Sequence, residues 1–369
     1  MKIAFLTKFN VGVESGVLKK IALQLKLWRS FGADARLFAL APTDRLWSGL
    51  DGVPIVVSSA DVDGDARVVS KFRHRFSGMA KLMRRLDEFA PDVVFWRYTT
   101  YYPAIAKMMR RYPTVLEINT DDLEEYRLRF SALANWYHRA LRGRVLRPAR
   151  GMIFVTDELR RRFDDFDAEK IVVPNSIDLS EFSPPPPPNN DRPRLLFVAA
   201  AGRAWHGFDK VFRLAARFPD WRFDVVGPER SEFDDVPPNV TVRGKLTREE
   251  YEPIVAETDV ALGTLSLHRK GLDEACPLKV REYLAYGLPT VVGYRDVDFD
   301  DEDDFVLRIP NVERNVEEAA DEIAAFVERR KGTRVDRERV RRIDAAEKER
   351  RKYDFLAEVV RQSSDASRV

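Results

Sequence analysis

Glu274 and Glu282 stand eight positions apart, with Asp273 beside the first and Pro277, Leu278 and Lys279 between them. Proline suits the opening of a helix, because its missing N–H would lack an intrahelical partner there, and Gly287 suits the position past the end. The first-turn amides of such a helix point toward the loop carrying Asp273 and Glu274 and favour a bound anion such as phosphate. On spacing alone the two glutamates also read as solvated acids on an ordinary amphipathic helix. The surrounding elements have to decide between these readings.

Those elements alternate. Residues 2–6 read as a buried strand, followed by a loop with Gly12 and Gly16, a helical pattern over 17–31 and a second strand over 34–40. Gly12-Val13-Glu14-Ser15-Gly16 departs from G-x-G-x-x-G, which argues against a dinucleotide site. The two glycines either admit a ligand close to the backbone or simply make the turn. Further strands are expected at 92–96, 114–118 and 151–155, with helices between them, which describes an open and mostly parallel sheet. Ligands in such sheets bind beyond the carboxyl ends of strands, where Arg97, Tyr98, Glu117, Asn119 and Asp121 fall; Asp121 reads equally as a helix cap. Asp61, Asp63 and Asp65 resemble the start of a calcium loop, but Phe72 occupies the place of the bidentate glutamate, so the stretch reads as a polar turn.

Over 369 residues, 62 basic and 60 acidic side chains nearly cancel, which removes net charge as an argument for a nucleic-acid partner. The balance is uneven, with 18 basic against 8 acidic residues over 67–150. Within that stretch, residues 126–150 carry seven arginines together with Trp136, Tyr137 and His138. Such a run fits a helix resting on an anionic membrane surface, a nucleic-acid arm, or a helix that solvates its arginines. The single cysteine, Cys276, and the lack of a signal peptide or a roughly 20-residue apolar span lead to the expectation of a cytoplasmic protein, peripheral to the membrane at most.

Five prolines, 184–188, mark a stiff spacer and place a domain boundary there. Alternation then restarts with a strand over 194–200, the loop Gly202-Arg203-Ala204-Trp205-His206-Gly207, a helix carrying Lys210, and shorter strands near 221–226 and 239–243 ahead of Gly244. The acids Asp296, Asp298, Asp300, Asp301, Asp303 and Asp304 read as a solvated loop, and no metal site is expected. The expected fold is α/β with two Rossmann-like domains, 1–183 and 184–340, a cleft between them, and a helix over 341–369 returning to the first.

Residues 173–178, Gly202-Arg203, residues 239–244 and Pro277-Leu278-Lys279-Val280-Arg281-Glu282-Tyr283, in that order, resemble the GT-B retaining glycosyltransferases of family 4 (glycosyltransferase group 1) over almost the whole chain. The resemblance implies transfer of a sugar from a nucleotide-diphosphate donor to a glycan or lipid-linked acceptor with retention, as in polysaccharide biosynthesis, and with no cofactor or metal ion. Glu282 would accept hydrogen bonds from both ribose hydroxyls, Glu274 would touch the donor sugar, and the amides of Leu278 and Lys279 after Pro277 would hold the diphosphate. Arg203 would stabilise the leaving group. The usual lysine before Gly207 is replaced by His206, leaving His206, Lys210 and Lys279 as candidates for the second cation. Gly12, Gly16 and Gly244 complete the donor-side candidates, and Asn119 lies near the reacting sugar on the acceptor domain. A UDP-sugar epimerase of the same fold and a non-catalytic nucleotide-sugar-binding protein are the alternatives.

Overall fold

The computed structural model describes residues 1–59, 68–200 and 202–366. Asp61, Asp63 and Asp65, the polar turn of the sequence reading, lie outside them. Seven apolar runs form the first sheet: β1 (Lys2–Lys8), β2 (Asp34–Ala41), β3 (Ile55–Ser59), β4 (Val93–Arg97), β5 (Thr114–Ile118), β6 (Gly151–Phe154) and β7 (Glu169–Val172). They are all parallel, in the order β3-β2-β1-β4-β5-β6-β7. A parallel sheet is covered on both faces, which is why these strands read as continuous apolar runs; Ile3 to Leu6 and Val93 to Phe95 are fully buried. Phe5, Trp28 and Phe95 centre the core, with Phe95 at 4.9 Å from Phe5 and 5.0 Å from Trp28 between ring centroids.

The second unit repeats the plan with β8 (Arg194–Val198), β9 (Arg222–Val226), β10 (Val240–Val242), β11 (Val260–Leu262), β12 (Glu274–Ala275), β13 (Thr290–Val292), β14 (Arg295–Asp296) and β15 (Val306–Arg308). Its main sheet runs β10-β9-β8-β11-β13-β15, and β12 pairs with β14 separately. In each main sheet the strand order reverses beside its first strand, between β1 and β4 and between β8 and β11. Loops diverge at such a point and leave a crevice at the carboxyl ends of the strands.

The chain divides at Val173 and rejoins the first unit at Ala345. The boundary therefore precedes the proline run: residues 174–183 belong to the second unit, held there by Asn175, whose N–H donates to Cys276 Sγ (3.3 Å) and whose side chain donates to the Cys276 carbonyl (2.9 Å). Rather than spanning between units, the prolines lie along the second, with Arg334 donating to the Pro185 carbonyl (3.3 Å) and Asn190 to that of Glu257 (2.8 Å). Residues 337–343, placed partly in the terminal helix by the sequence reading, form a 3-10 turn of the second unit. Helix Ala345–Ala366 then buries Leu356 and Val359 in the first core. Gly151 of β6 makes room for it, since a Cβ there would stand 2.8 Å from the Phe355 ring. Among the described residues no helix is long and apolar enough to cross a membrane.

Candidate active site

Two elements meet at the β8–β11 switch point. From β8 the chain passes through Gly202 and Gly207, both with positive φ (66° and 87°), into helix Phe208–Arg217. Gly207 is sterically required, because a Cβ there would stand 2.8 Å from Ser266 Oγ. This tight turn keeps Arg203 and His206 at the strand end. Beyond β11, helix Leu278–Ala285 begins one residue later than the sequence implied: Pro277 is its cap and makes no side-chain hydrogen bond to the first amides. The helix is pinned to the sheet by the Tyr283 hydroxyl, which accepts from the Val198 N–H at 2.7 Å. Arg281, fully buried, pins its other side through two hydrogen bonds to Asp296 (2.7 and 2.8 Å) and one to Asp298 (2.6 Å). The acidic loop is thus not simply solvated. Asp296 and Asp303 are buried, and Arg342 donates to Asp303 (3.0 and 3.1 Å), so part of the cluster anchors the helix by ion pairing.

Lys279 stands at the start of this helix with its ammonium 4.6 Å from the centre of the Phe197 ring. The nitrogen is buried and has no hydrogen-bond partner among the described residues. Burial pushes its pKa down to about 7. His206 is affected more strongly: burial first, then the charges of Lys279, Arg203 and Lys270, push it down to about 2. It is therefore a neutral imidazole near neutrality and does not serve as the missing cation. Arg203 and Lys270 both lie against Trp205, at 5.5 and 4.9 Å from its ring centroid. Lys270 was not among the sequence candidates; its place in the loop after β11 was the available signal.

Lys210 is equally unsuited, since its fully buried side chain donates to the carbonyls of Val312 (3.0 Å) and Glu313. Lys210→Met is expected to cost about 1–3 kcal/mol of stability by leaving those carbonyls without their donor, measured by urea unfolding. Lys279 and His206 both have a buried nitrogen without a hydrogen-bond partner among the described residues, but of the two only Lys279 carries charge near neutrality.

Glu282, one turn further along the same helix, is part-buried among Tyr251, Tyr283 and Tyr286; those phenols are pushed up chiefly by their own burial, with the Glu282 charge adding to it. Glu274 is buried on β12 and ion-paired with Arg295 of β14, while Asp273 accepts from Asn311 at 2.9 Å. Gly244 follows β10, with positive φ, and its carbonyl accepts from Gly227 (2.7 Å) beside the Glu229 carboxylate. Arg203, His206 and Lys279 are thus gathered around one switch point, with Glu282 one turn further along the Lys279 helix, whereas Lys210 faces away into carbonyls.

The remaining candidates belong to the first unit. Gly12 lies in the loop after β1, its N–H bonded to Asn10 Oδ1 (3.0 Å), and Gly16 is the exposed first residue of helix Gly16–Ser30. Asn119 follows β5, with its side-chain oxygen accepting from Lys20 (3.1 Å) and its amide donating to Glu117 (3.0 Å). Burial opposes ionisation of Glu117, but Lys20, Lys352 and Arg97 overcome it and hold the carboxyl well below its usual range. Asp121 caps helix Asp122–Arg129 through the amides of Leu123 and Glu124 (3.0 and 3.1 Å).

Residues 32–181 match the model of Glycosyltransferase Family 4. Solved structures share the fold over nearly the whole chain. Sucrose-phosphate synthase from Thermosynechococcus elongatus is 13% identical, with 100% of this chain and 98% of that chain covered and a TM-score of 0.68. The apo lipopolysaccharide outer core galactosyltransferase WaaB is 13% identical, covering 96% and 99% at a TM-score of 0.66. Anabaena HepE, in complex with UDP and glucose, is 13% identical, covering 97% and 100% at 0.66. No curated protein sequence matches the chain. Over residues 32–181 the chain thus matches Glycosyltransferase Family 4, and from end to end it shares the two-sheet GT-B fold of these solved structures.

Proposed function

We propose that the chain transfers a sugar from a UDP-type nucleotide-diphosphate donor to a glycan or lipid-linked acceptor, with retention at the anomeric carbon. The observation that carries this reading is the buried ammonium of Lys279, without a hydrogen-bond partner among the described residues, at the start of helix Leu278–Ala285. A cation held in that condition is costly unless an anion completes it. The donor diphosphate is that anion, received by Lys279, Arg203 and the first-turn amides. Glu282 takes the ribose hydroxyls and Glu274, oriented by Arg295, faces the donor sugar. The bond from the anomeric carbon to the phosphate oxygen breaks with its electron pair going to the diphosphate. The acceptor oxygen bonds to the same face of that carbon, and its proton passes to the departing phosphate. Protein cations, not a metal ion, neutralise the leaving group. On the first domain Gly12 and Gly16 serve the donor and Asn119 the reacting sugar, and the basic run over 126–150 rests on an anionic membrane surface.

Diphosphate binding favours the charged form of Lys279, so UDP affinity holds below about pH 7, where the resting lysine is already protonated. Above that it weakens by as much as roughly tenfold per pH unit, until the pKa of the complex is reached. Calorimetric titration across that range checks the sign. The function itself is tested by UDP release from a panel of UDP-sugars, with and without membrane extract. Acceptor-dependent release of UDP with an α-linked product from an α-linked donor is expected. A free sugar isomer made without acceptor, or binding with no turnover, overturns the reading.

A further inference from the structure

Helix Ala132–Leu141 leaves large apolar side chains facing outward, unlike an ordinary surface helix. The one residue it buries fully is polar: His138, with Nε2 2.6 Å from Asp122 Oδ2 and Nδ1 3.2 Å from Thr100 Oγ1. The side it exposes is apolar. Leu133 and Trp136, one turn apart, are 63% and 66% exposed, and Leu128 and Phe130 just before them are 40% and 46% exposed. These are four of the seven large apolar side chains exposed among the described residues, and isolated exposed apolar residues are ordinary where such a run is not.

The stripe sits on a rigid base. Arg142 donates twice to Asp122 (2.8 Å each), and Tyr126 stacks between His138 (3.9 Å) and Phe130 (4.5 Å). Arg142 is therefore committed to the fold. Arg139, Arg144, Arg147 and Arg150 are exposed, and residues 126–150 contain no acidic residue at all. Exposed guanidinium groups in the same run as these exposed aromatic and aliphatic side chains complement a layer of anionic headgroups over hydrocarbon, where tryptophan also sits favourably.

We propose that Leu128, Phe130, Leu133 and Trp136 form a wedge that inserts into the boundary between headgroups and acyl chains of an anionic bilayer. This rests on the membrane contact included in the proposed function and adds that the contact is made by apolar insertion, with the arginines steering and framing it.

The test uses the full chain with vesicles of phosphatidylcholine plus phosphatidylglycerol, and of phosphatidylcholine alone. Wild type is expected to cosediment with the anionic vesicles and to show a blue shift of tryptophan emission. The double variant Leu133→Ser/Trp136→Ser is expected to lose roughly tenfold or more in partitioning, about 1.4 kcal/mol. Trp136→Phe is expected to bind nearly as wild type while losing most of the blue shift. Both variants alter exposed side chains, and an unchanged melting temperature confirms that they fold. Undiminished binding by the serine variant, with no blue shift in wild type, overturns the wedge and leaves an electrostatic contact standing. No binding by wild type overturns both. Self-association of wild type that the serine variant abolishes, without vesicle binding, assigns the stripe to a second copy of the chain.

Discussion

Glu282→Ala is expected to weaken UDP binding by roughly 100-fold or more while shifting the melting temperature by only a few degrees. A carboxylate that receives two hydroxyl groups makes two charge-assisted hydrogen bonds, each worth about 1.5–3 kcal/mol. The loss of both accounts for the expected drop. The helix itself does not hang on this residue: Arg281 is tied to Asp296 and Asp298, Tyr283 to Val198, and Val280 is buried in the core. Calorimetric titration with UDP, paired with a thermal melt, separates the two effects. An unchanged affinity would remove Glu282 from the donor site, and a collapsed melt would recast it as a packing residue.

Lys279→Met is expected to move stability and binding in opposite directions. The methionine keeps an unbranched apolar stem against Phe197 and removes a buried ammonium that lacks a hydrogen-bond partner among the described residues. Burying a polar group without compensation costs about 1–3 kcal/mol by protein mutational data, so the unliganded variant gains up to that amount in urea unfolding. UDP affinity falls by roughly 10–100-fold, the worth of one hydrogen bond to a charged group. The rise of affinity from alkaline to neutral pH also disappears, because burial holds the titrating lysine at about 7 in the resting protein. A structural lysine behaves otherwise: Lys210→Met loses stability, because Lys210 already satisfies two carbonyls.

The central strands of both parallel sheets were legible from their apolar runs and the glycine-bearing loops between them, since strands buried on both faces have little freedom in composition. The edge strands β3, β7 and β15 were not. The helix behind Pro277 was legible to within a residue for a similar local reason. Which cation faces the phosphates was not. His206, Lys210 and Lys279 are equivalent as letters, and they differ only in burial and partners, which distant residues such as Phe197 and Val312 supply. The acidic loop misled because Arg281, fifteen positions before Asp296, looks like an ordinary helical surface residue. The proline run misled because stiffness marks an extended strap as well as a spacer, and here Arg334 holds it along one unit. The helix over 132–141 was visible only as a basic and aromatic composition. Its outward apolar side required knowing that His138 and Asp122 are buried together.

Donor binding requires an anion completing the site at the start of helix Leu278–Ala285, and calorimetric titration of UDP into the full chain and its Lys279→Met and Glu282→Ala variants tests that most directly. The predicted result is measurable binding by wild type, roughly 10–100-fold weaker binding by Lys279→Met with a raised melting temperature, and a still larger loss for Glu282→Ala. Equal affinity in all three proteins, with Lys279→Met no more stable than wild type, would contradict it.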